Sequence, residues 1–297
     1  MPNNIIECKN LTHYYGKRLI YENLSFDIPE GRIVGLLGKN GTGKTTTINI
    51  LSGYLKPLSG HCYMFGEDIT TMKPDVRSRI GLLIEGHVQY QFMTISQIEK
   101  FYSSFYPGRW RKDAYYELMN KLKVAPGQRI SRMSCGQRSQ VALGLILAQN
   151  PDLLVLDDFS LGLDSGYRRL FVDYLKDYVK SENKTVFLTS HIIGDMERLI
   201  DDCIILDYGK ILAQMPISNL TNGFHRFYGT LDNCSFPEEP IEGIYSPSVL
   251  RGKVEFYSFL SLEQVSKVLQ SRCVNIIGLE IENVNLEDAF IGLTGKY

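Results

Sequence analysis

Short apolar runs alternate with helix-like segments from residue 5 to about residue 212. Several of these runs contain no polar position, which is typical of strands that are covered on both faces of a sheet. Apolar and polar residues alternate in part over 19–28, so we expect a half-exposed antiparallel strand before the central strands. The pattern predicts an α/β fold with a mixed sheet and helices packed on it. The clearest predicted strands lie at 32–37, 80–84, 153–156, 185–188 and 203–206.

The residue composition of the chain changes after residue 212. Pro216, Asn219 and Gly223 belong to a polar stretch rich in helix and strand breakers, which marks a boundary. A hairpin signal at 251–252 and apolar residues at helical spacing over 262–269 follow this stretch. We therefore predict two domains, a larger one at 1–215 and a small accessory α+β domain at 216–297.

Composition limits the classes of function. The chain has 297 residues, 44% apolar and 22% charged, which is typical of a globular protein with room for two domains. Its net charge of -1 provides no field for binding nucleic acid, so no nucleic-acid partner is predicted. No apolar run approaches the roughly 20 residues of a membrane span, and no secretory signal is visible, so we expect a cytoplasmic protein. The 6 cysteines form no CxxC pair, which argues against a zinc or dithiol redox site.

The clearest chemical motif is GKNGTGKT at 38–45, called here the phosphate loop, which fits G-x-x-x-x-G-K-[ST]. A predicted strand precedes it and a predicted helix follows it, as this motif requires. Its glycines let backbone N–H groups wrap phosphates, while Lys44 offers a cation and the Thr45 hydroxyl a ligand for Mg²⁺. The predicted nucleotide-binding residues here are Gly38, Asn40, Gly41, Thr42, Gly43, Lys44, Thr45 and Thr46.

Two adjacent carboxylates follow the apolar strand at 153–156. Asp157 suits a water-mediated contact to Mg²⁺, and Asp158 is placed to act on an attacking water. Such a run is often only a strand entering a loop. Downstream of a phosphate loop it becomes a Walker B segment, and together the two motifs indicate a P-loop NTPase.

The segment RMSCGQR at 132–138, called here the signature segment, resembles the LSGGQ signature of ABC ATPases. A helix-like stretch follows, so its backbone amides and the Ser134 hydroxyl can form a second anion site. Ser134 also suits a helix N-cap, and the two roles are compatible. The resemblance implies that Ser134, Gly136 and Gln137 bind the γ-phosphate of ATP held by another subunit, so the active site needs a dimer.

Other landmarks of the ABC ATPases occur in the expected order. The resemblance implies that Tyr15 stacks on adenine, although a lone tyrosine is otherwise a core or surface residue. It also implies that Glu85 occupies the position of a glutamine that binds Mg²⁺, that Asp164 ends a D-loop, and that His191 is the switch histidine. The segment 286–290, LEDAF, resembles the tail of many exporter-type ABC ATPases.

Four residues depart from the family pattern. Cys135 replaces a signature glycine, which costs little if its φ is negative. Glu85 replaces glutamine and keeps an oxygen ligand for Mg²⁺. Asp158 replaces the glutamate that serves as catalytic base, which predicts slow hydrolysis. Phe159 replaces the following proline, and we expect this to release the backbone so that the carboxylate moves inward.

The resemblance therefore implies the ABC ATPase fold, with an antiparallel β subdomain and a helical subdomain beside the mixed core. It implies an ATPase that uses ATP and Mg²⁺ and powers transport through a separate transmembrane permease subunit. The ATPase is expected to form a homodimer or heterodimer on the inner face of the cell membrane. Segments 84–85, 105–110 and 190–192 are similar to bacterial antibiotic and peptide exporters, which favours export.

The membrane partner is expected to bind beside residue 85, where His87, Tyr90, Phe92 and Tyr102 offer aromatic surface, although each alone also suits core packing.

Two other functions stay open. One is a soluble ABC protein that acts on ribosomes or DNA. Such proteins usually carry two ATPase cassettes or a long coiled coil, whereas this sequence has one phosphate loop and no sustained heptads. The other is a nucleotide sensor that barely hydrolyses ATP, which Asp158 keeps open.

Overall fold

The structure is a computed structural model that describes residues 3–84, 90–159, 163–232 and 235–295. The strands are β1 (Asn4–Tyr15), β2 (Arg18–Pro29), β3 (Ile33–Gly38), β4 (Ser59–Met64), β5 (Glu67–Asp68), β6 (Ile80–Leu83), β7 (Leu153–Leu156), β8 (Thr185–Thr189), β9 (Asp202–Asp207), β10 (Lys210–Pro216), β11 (His225–Leu231), β12 (Tyr245–Leu250), β13 (Lys253–Ser258) and β14 (Ile276–Asn283).

The helices are α1 (Lys44–Leu51), α2 (Pro74–Arg77), α3 (Ile95–Ser103), α4 (Lys112–Lys121), α5 (Cys135–Ala148), α6 (Ser165–Glu182), α7 (Ile193–Leu199), α8 (Ile217–Gly223), α9 (Leu262–Ser271) and α10 (Leu286–Thr294). Across the described residues, no helix is both long enough and apolar enough to cross a membrane.

The central sheet has the strand order β10-β9-β3-β8-β7-β6. Its members run parallel except β10, which pairs antiparallel with β9. Every residue of β7 and β8 is buried, which explains why these runs do not alternate. The predicted strands are confirmed, with ends displaced by about one residue. Since β3, β8 and β7 are neighbours, the segments that follow them meet at one edge of the sheet.

The predicted antiparallel element is a second sheet with the order β2-β1-β4-β5. In the β1–β2 hairpin, Tyr15 pairs with Arg18, so both residues lie at the tip. Ile6, Leu36 and Ile48 belong to one buried apolar cluster, which packs this sheet against β3 and α1. The hairpin tip is thereby held beside the phosphate loop.

A helical unit made of α3, α4 and α5 covers one side of the central sheet. The middle and end of α5 are buried on all sides, in agreement with the apolar stretch that predicted it. Tyr115 on α4 is fully buried, and its hydroxyl donates to the Ile95 carbonyl at 3.1 Å. This packing fixes where α5, and so the signature segment at its start, lies on the core.

The C-terminal residues form a third sheet with the order β12-β13-β11-β14. Phe227 and Phe256 stack at 5.3 Å in its core, and Val265 of α9 packs on them, so the predicted hairpin and helix are confirmed. In contrast, Leu286 and Phe290 of α10 are buried with the larger core around α7 and α8. The division at residues 215 and 216 stays a prediction.

The polar stretch after residue 215, which was predicted only as a boundary, forms helix α8. Pro216 lies at its N-cap, where a missing N–H breaks no helical hydrogen bond. Leu220 is fully buried, so packing outweighs the low helix propensity of Asn and Gly in this segment.

Candidate active site

The phosphate loop follows β3 and leads directly into α1. Gly41 and Gly43 have φ angles of 81° and 105°, in the left-handed region that favours glycine. A Cβ atom on Gly43 would lie 2.7 Å from the Cγ2 atom of Ile20, so no larger residue fits. Gly43 is also the N-cap of α1, so the free N–H groups of the first helical turn lie at the loop and provide an anion site.

Lys44 lies within this loop and is held by it. Its Nζ atom donates to the carbonyl oxygens of Gly38 at 2.7 Å and Lys39 at 3.0 Å. Burial lowers the pKa of Lys44 below its ordinary value, and the charges of Asp157 and Asp158 partly oppose that shift. The loop therefore presents a desolvated cation opposite two carboxylates.

A cavity of about 250 Å³ opens between the hairpin tip, the phosphate loop and the ends of β7 and β8. It is lined by Tyr15, Arg18, Ile20, Asn40, Gly41, Gly43, Lys44, Thr45, Thr46, Asp157, Asp158, Thr189, Ser190 and His191. Segments that are far apart in the sequence thus converge on one site. Tyr15 is half exposed there, and its ring packs edge-to-face on His13 at 4.9 Å.

The Thr189 hydroxyl links the two carboxylate residues. It donates to the Oδ1 atom of Asp157 at 2.6 Å and accepts from the backbone N–H of Asp158 at 2.9 Å. Asp157 is buried, and it shares the cavity with the Thr45 side chain. One carboxylate and one hydroxyl beside a phosphate site suit Mg²⁺, which is usually bound by few protein oxygens together with substrate phosphates. Glu85, the other predicted ligand, lies outside the described residues.

Asp158 and His191 contact each other twice. The backbone N–H of His191 donates to the Oδ1 atom of Asp158 at 3.2 Å, and its Nε2 atom lies 3.3 Å from Oδ2. The Asp158 side chain is 5% exposed and the His191 side chain 51% exposed. The pair therefore places an imidazole that reaches solvent beside a buried carboxylate, whose Oδ2 atom accepts no hydrogen bond from the described residues.

The backbone at Asp158 has a φ of 44°, in the left-handed region. A residue before proline is restricted to extended conformations, so Phe159 in place of proline is compatible with this geometry. Phe159 itself is 3% exposed and stacks on Phe171 at 5.2 Å. The Phe159 ring is therefore anchored in the core, and the expectation that the absence of proline lets the Asp158 carboxylate move inward stays a prediction.

The signature segment lies at the start of α5. Ser134 is the N-cap, as predicted: its hydroxyl accepts from the Gln137 N–H at 3.2 Å, and the Gln137 side chain accepts from the Ser134 N–H at 3.1 Å. A Cβ atom on Gly136 would lie 2.5 Å from the Tyr167 ring, so α5 and α6 approach closely here. Cys135 is exposed in the first turn of α5 and has no positive φ, so replacing glycine causes no backbone strain.

Asp164 also serves as a helix cap. Its Oδ1 atom accepts from the N–H groups of Gly166 and Tyr167, both at 3.0 Å, at the start of α6. Leu161 and Gly162 of the predicted D-loop lie outside the described residues. Neither Asp164 nor Ser134, Gly136 and Gln137 line the cavity around Lys44. The structure thus separates these predicted binding residues from the phosphate loop of the same chain.

Four residues that line the cavity were not among the predicted site residues: Arg18, Ile20, Thr189 and Ser190. Thr189 directly precedes Ser190 and His191, and a polar residue after the apolar run at 186–188 was the available signal. Arg18 lies at the hairpin tip, and its guanidinium donates to the Gly41 carbonyl at 3.5 Å. A cation beside the phosphate loop was not marked by any motif.

Comparison with known proteins agrees with this geometry. The sequence profile of the ABC transporter family matches residues 21–160. The bacitracin transport ATP-binding protein BcrA of Bacillus licheniformis is 27% identical over 299 residues, which span 98% of this chain and 97% of that protein. The Nod factor export ATP-binding protein I of Cupriavidus metallidurans is 27% identical over 306 residues, which span 98% of each chain.

Solved structures share the fold. An ATP-binding subunit of an ABC transporter has a TM-score of 0.65 at 22% identity, covering 73% of this chain and 92% of its own. A dimeric ATP-binding cassette bound to ADP and phosphate has a TM-score of 0.62 at 23% identity, covering 71% of this chain and 98% of its own. The predicted ABC ATPase fold is thereby confirmed. Residues 21–160 thus form an ABC transporter ATPase domain, and nearly the whole chain is similar to ATP-binding subunits of ABC transporters.

Proposed function

We propose that this chain binds MgATP in the cavity around Lys44 and couples its slow hydrolysis to export through a separate membrane subunit. The observation that carries the proposal is the convergence of Lys44, Asp157 and the Asp158–His191 pair on one cavity. Lys44 neutralises the β- and γ-phosphates, and the Tyr15 ring stacks on adenine. Thr45 and Asp157 hold Mg²⁺, which would neutralise charge on the phosphates.

Hydrolysis requires a water to attack the γ-phosphorus while it loses a proton. Asp158 is the base that takes this proton, and the leaving ADP departs from the opposite side of the phosphorus. His191 holds the Asp158 carboxylate through two contacts and reaches the cavity beside it. Aspartate is one methylene shorter than glutamate, and a displacement of about 1 Å can cost roughly a hundredfold in rate. The expected turnover is therefore slow but real.

The active site is completed by a second ATPase subunit. Ser134, Gly136 and Gln137 lie at a helix N-terminus that suits an anion, yet they do not line the cavity of their own chain. In a head-to-tail dimer they bind the γ-phosphate held by the partner's phosphate loop. ATP then acts as the ligand that joins the two subunits.

The membrane partner binds at an exposed aromatic patch formed by Tyr90, Phe92, Phe101 and Phe105. Tyr90 and Phe105 each pack edge-to-face on Phe101 at 5.1 Å, and Phe92 is 68% exposed. An exposed aromatic cluster of this kind is typical of a protein interface. Tyr102 is half-buried against the core, and His87 lies outside the described residues. This contact would hold the chain on the inner face of the membrane. The functions of two relatives, bacitracin transport and Nod factor export, favour export.

A mixing experiment tests the composite site. Lys44→Ala removes the cation of the phosphate loop, and Ser134→Glu places a negative charge where the partner's γ-phosphate would lie. Each variant alone is expected to lose ATP-dependent dimerisation, measured by light scattering. A mixture restores dimers and hydrolysis, because one of the two sites then contains an intact loop and an intact signature segment.

Absence of recovery in the mixture, with both variants folded, would contradict a site shared between subunits. Binding of ATP by the Lys44→Ala variant as tightly as by the parent, measured by calorimetry, would contradict the assignment of the phosphate loop itself. The nucleotide-sensor alternative predicts ATP-dependent dimers without measurable phosphate release.

A further inference from the structure

Lys39 connects the phosphate loop to the C-terminal helix. Its side chain is buried, with the residue 8% exposed, and its Nζ atom donates to the carbonyl oxygen of Thr294 at 2.7 Å. Thr294 is the last residue of α10. Carbonyl groups at a helix C-terminus carry partial negative charge and lack intrahelical partners, so an ammonium group there is favourable.

The backbone carbonyl of Lys39 holds other residues of the phosphate loop. Its carbonyl oxygen accepts from the Nζ atom of Lys44 at 3.0 Å and from the hydroxyl of Thr42 at 2.8 Å. A single residue therefore binds α10 through its side chain and holds the Lys44 cation through its carbonyl. A displacement of the Lys39 side chain would move an acceptor of Lys44.

Helix α10 is itself fixed on the core. Leu286 is fully buried and Phe290 is 7% exposed, both within the apolar cluster that includes α7 and α8. The backbone N–H of Leu286 donates to the Oε1 atom of Glu197 at 3.2 Å, and Glu197 belongs to α7, the helix that follows His191. One end of α10 thus contacts the helix after the switch histidine, and the other contacts the phosphate loop.

We propose that Lys39 is a positioning residue through which α10 holds the phosphate loop and Lys44 in the geometry that binds nucleotide. The inference rests on the proposed role of Lys44 in binding ATP. Helix α10 thereby has a function in the ATP site, although Thr294 and Lys39 are 255 positions apart in the sequence. Lys39 does not touch the substrate in this mechanism.

The test compares Lys39→Met, which removes the ammonium and keeps most of the stem, with Lys39→Arg, which keeps the charge and donors. Lys39→Met is expected to weaken MgATP binding by roughly twofold to thirtyfold in calorimetry, the range for a cation at a helix C-terminus. Lys39→Arg is expected to retain most of the parental affinity for MgATP. Lys210→Met, at an exposed position at the start of β10, is the control for loss of one lysine and leaves the affinity unchanged.

A double-mutant cycle separates positioning from a direct contact to phosphate. Phe290→Ala loosens α10 from the core, and in that background Lys39→Met is expected to add little further loss. An equal loss in both backgrounds would overturn the proposal, because Lys39 would then act on the nucleotide without α10.

Amide hydrogen exchange provides a measurement that needs no nucleotide and no second variant. The proposal predicts that Lys39→Met, without ATP, speeds exchange in the last turn of α10 at residues 291–295. Unchanged exchange there would overturn the proposal even if Phe290→Ala fails to fold. Since this experiment contains no ATP, its outcome is independent of whether Lys44 binds phosphate, which Lys44→Ala tests separately.

Discussion

The Nε2 atom of His191 lies 3.3 Å from the Oδ2 atom of Asp158, and the backbone N–H of His191 donates to the other carboxylate oxygen. Thr189 accepts from the backbone of Asp158, so this residue is fixed at both its side chain and its main chain. The short carboxylate is therefore held in place by residues at the end of β8 and directly after it. From this relationship we expect the length of the side chain at position 158 to determine the rate of turnover.

Changing that length should change the rate in a defined direction. We expect Asp158→Glu to hydrolyse ATP as fast as the parent or faster, because the longer side chain extends the carboxylate toward the γ-phosphate. Asp158→Asn cannot accept a proton and is expected to lose roughly 10²- to 10⁴-fold in kcat. Phosphate release under saturating MgATP measures both.

The control for these variants is nucleotide affinity, which should be similar in all three proteins. Equal rates for the parent and Asp158→Asn would remove Asp158 from the mechanism. That result would favour the nucleotide sensor.

Phe159→Pro should damage both the fold and the site. The variant removes a ring that stacks on Phe171, and loss of a large buried side chain costs about 3 to 5 kcal/mol of unfolding free energy. It also forces Asp158, whose φ is 44°, toward extended backbone. Denaturant unfolding and phosphate release measure the two effects.

Phe159→Leu is the matched control for the backbone effect. It keeps an apolar side chain and leaves φ free, so it should cost less stability and retain the rate. A proline variant as stable and active as the leucine variant would contradict the conformational argument.

The aromatic patch yields a prediction about coupling. Phe92→Asp places a charge on this surface, and we expect it to abolish stimulation of ATPase activity by the membrane subunit while the isolated chain hydrolyses ATP at the parental rate. Tyr208→Asp, at an equally prominent aromatic residue that is 74% exposed on the β9–β10 turn, is the control and should retain stimulation. Full stimulation of the Phe92→Asp protein would place the interface elsewhere.

Much of the fold and of the candidate site could be predicted from patterns within short segments of the sequence. Unbroken apolar runs identify buried parallel strands such as β7, and the phosphate loop is defined by residues within one short segment. The link through Thr189 was not predictable in this way, because it depends on β7 and β8 being neighbours. Helix α8 was missed since the burial of Leu220 overrides local propensity. The hydrogen bond from Lys39 to Thr294 joins residues that are 255 positions apart, and no motif marks it.

The last prediction concerns the pH dependence of ATP binding. Burial lowers the pKa of Lys44, so its ammonium loses its proton at a lower pH than a free lysine does. Only the protonated form offers a cation to the β- and γ-phosphates. ATP affinity should therefore be constant while the pH stays below the lowered pKa, and should then fall as the pH rises through that value, by up to about tenfold per pH unit.

Binding of MgATP should be measured from neutral pH upward, where the γ-phosphate is already ionised, so that a fall in affinity reports on the protein. Lys44→Met has no titrating group at this position and is the control, with weak affinity that changes little over the same range. The sign of the effect discriminates between two roles for this residue. A cation that binds phosphate loses affinity as the pH rises, whereas a residue that only fills space beside Gly38 gives the same pH profile in the parent and in Lys44→Met. Parallel profiles in the two proteins would therefore contradict a direct electrostatic role for Lys44.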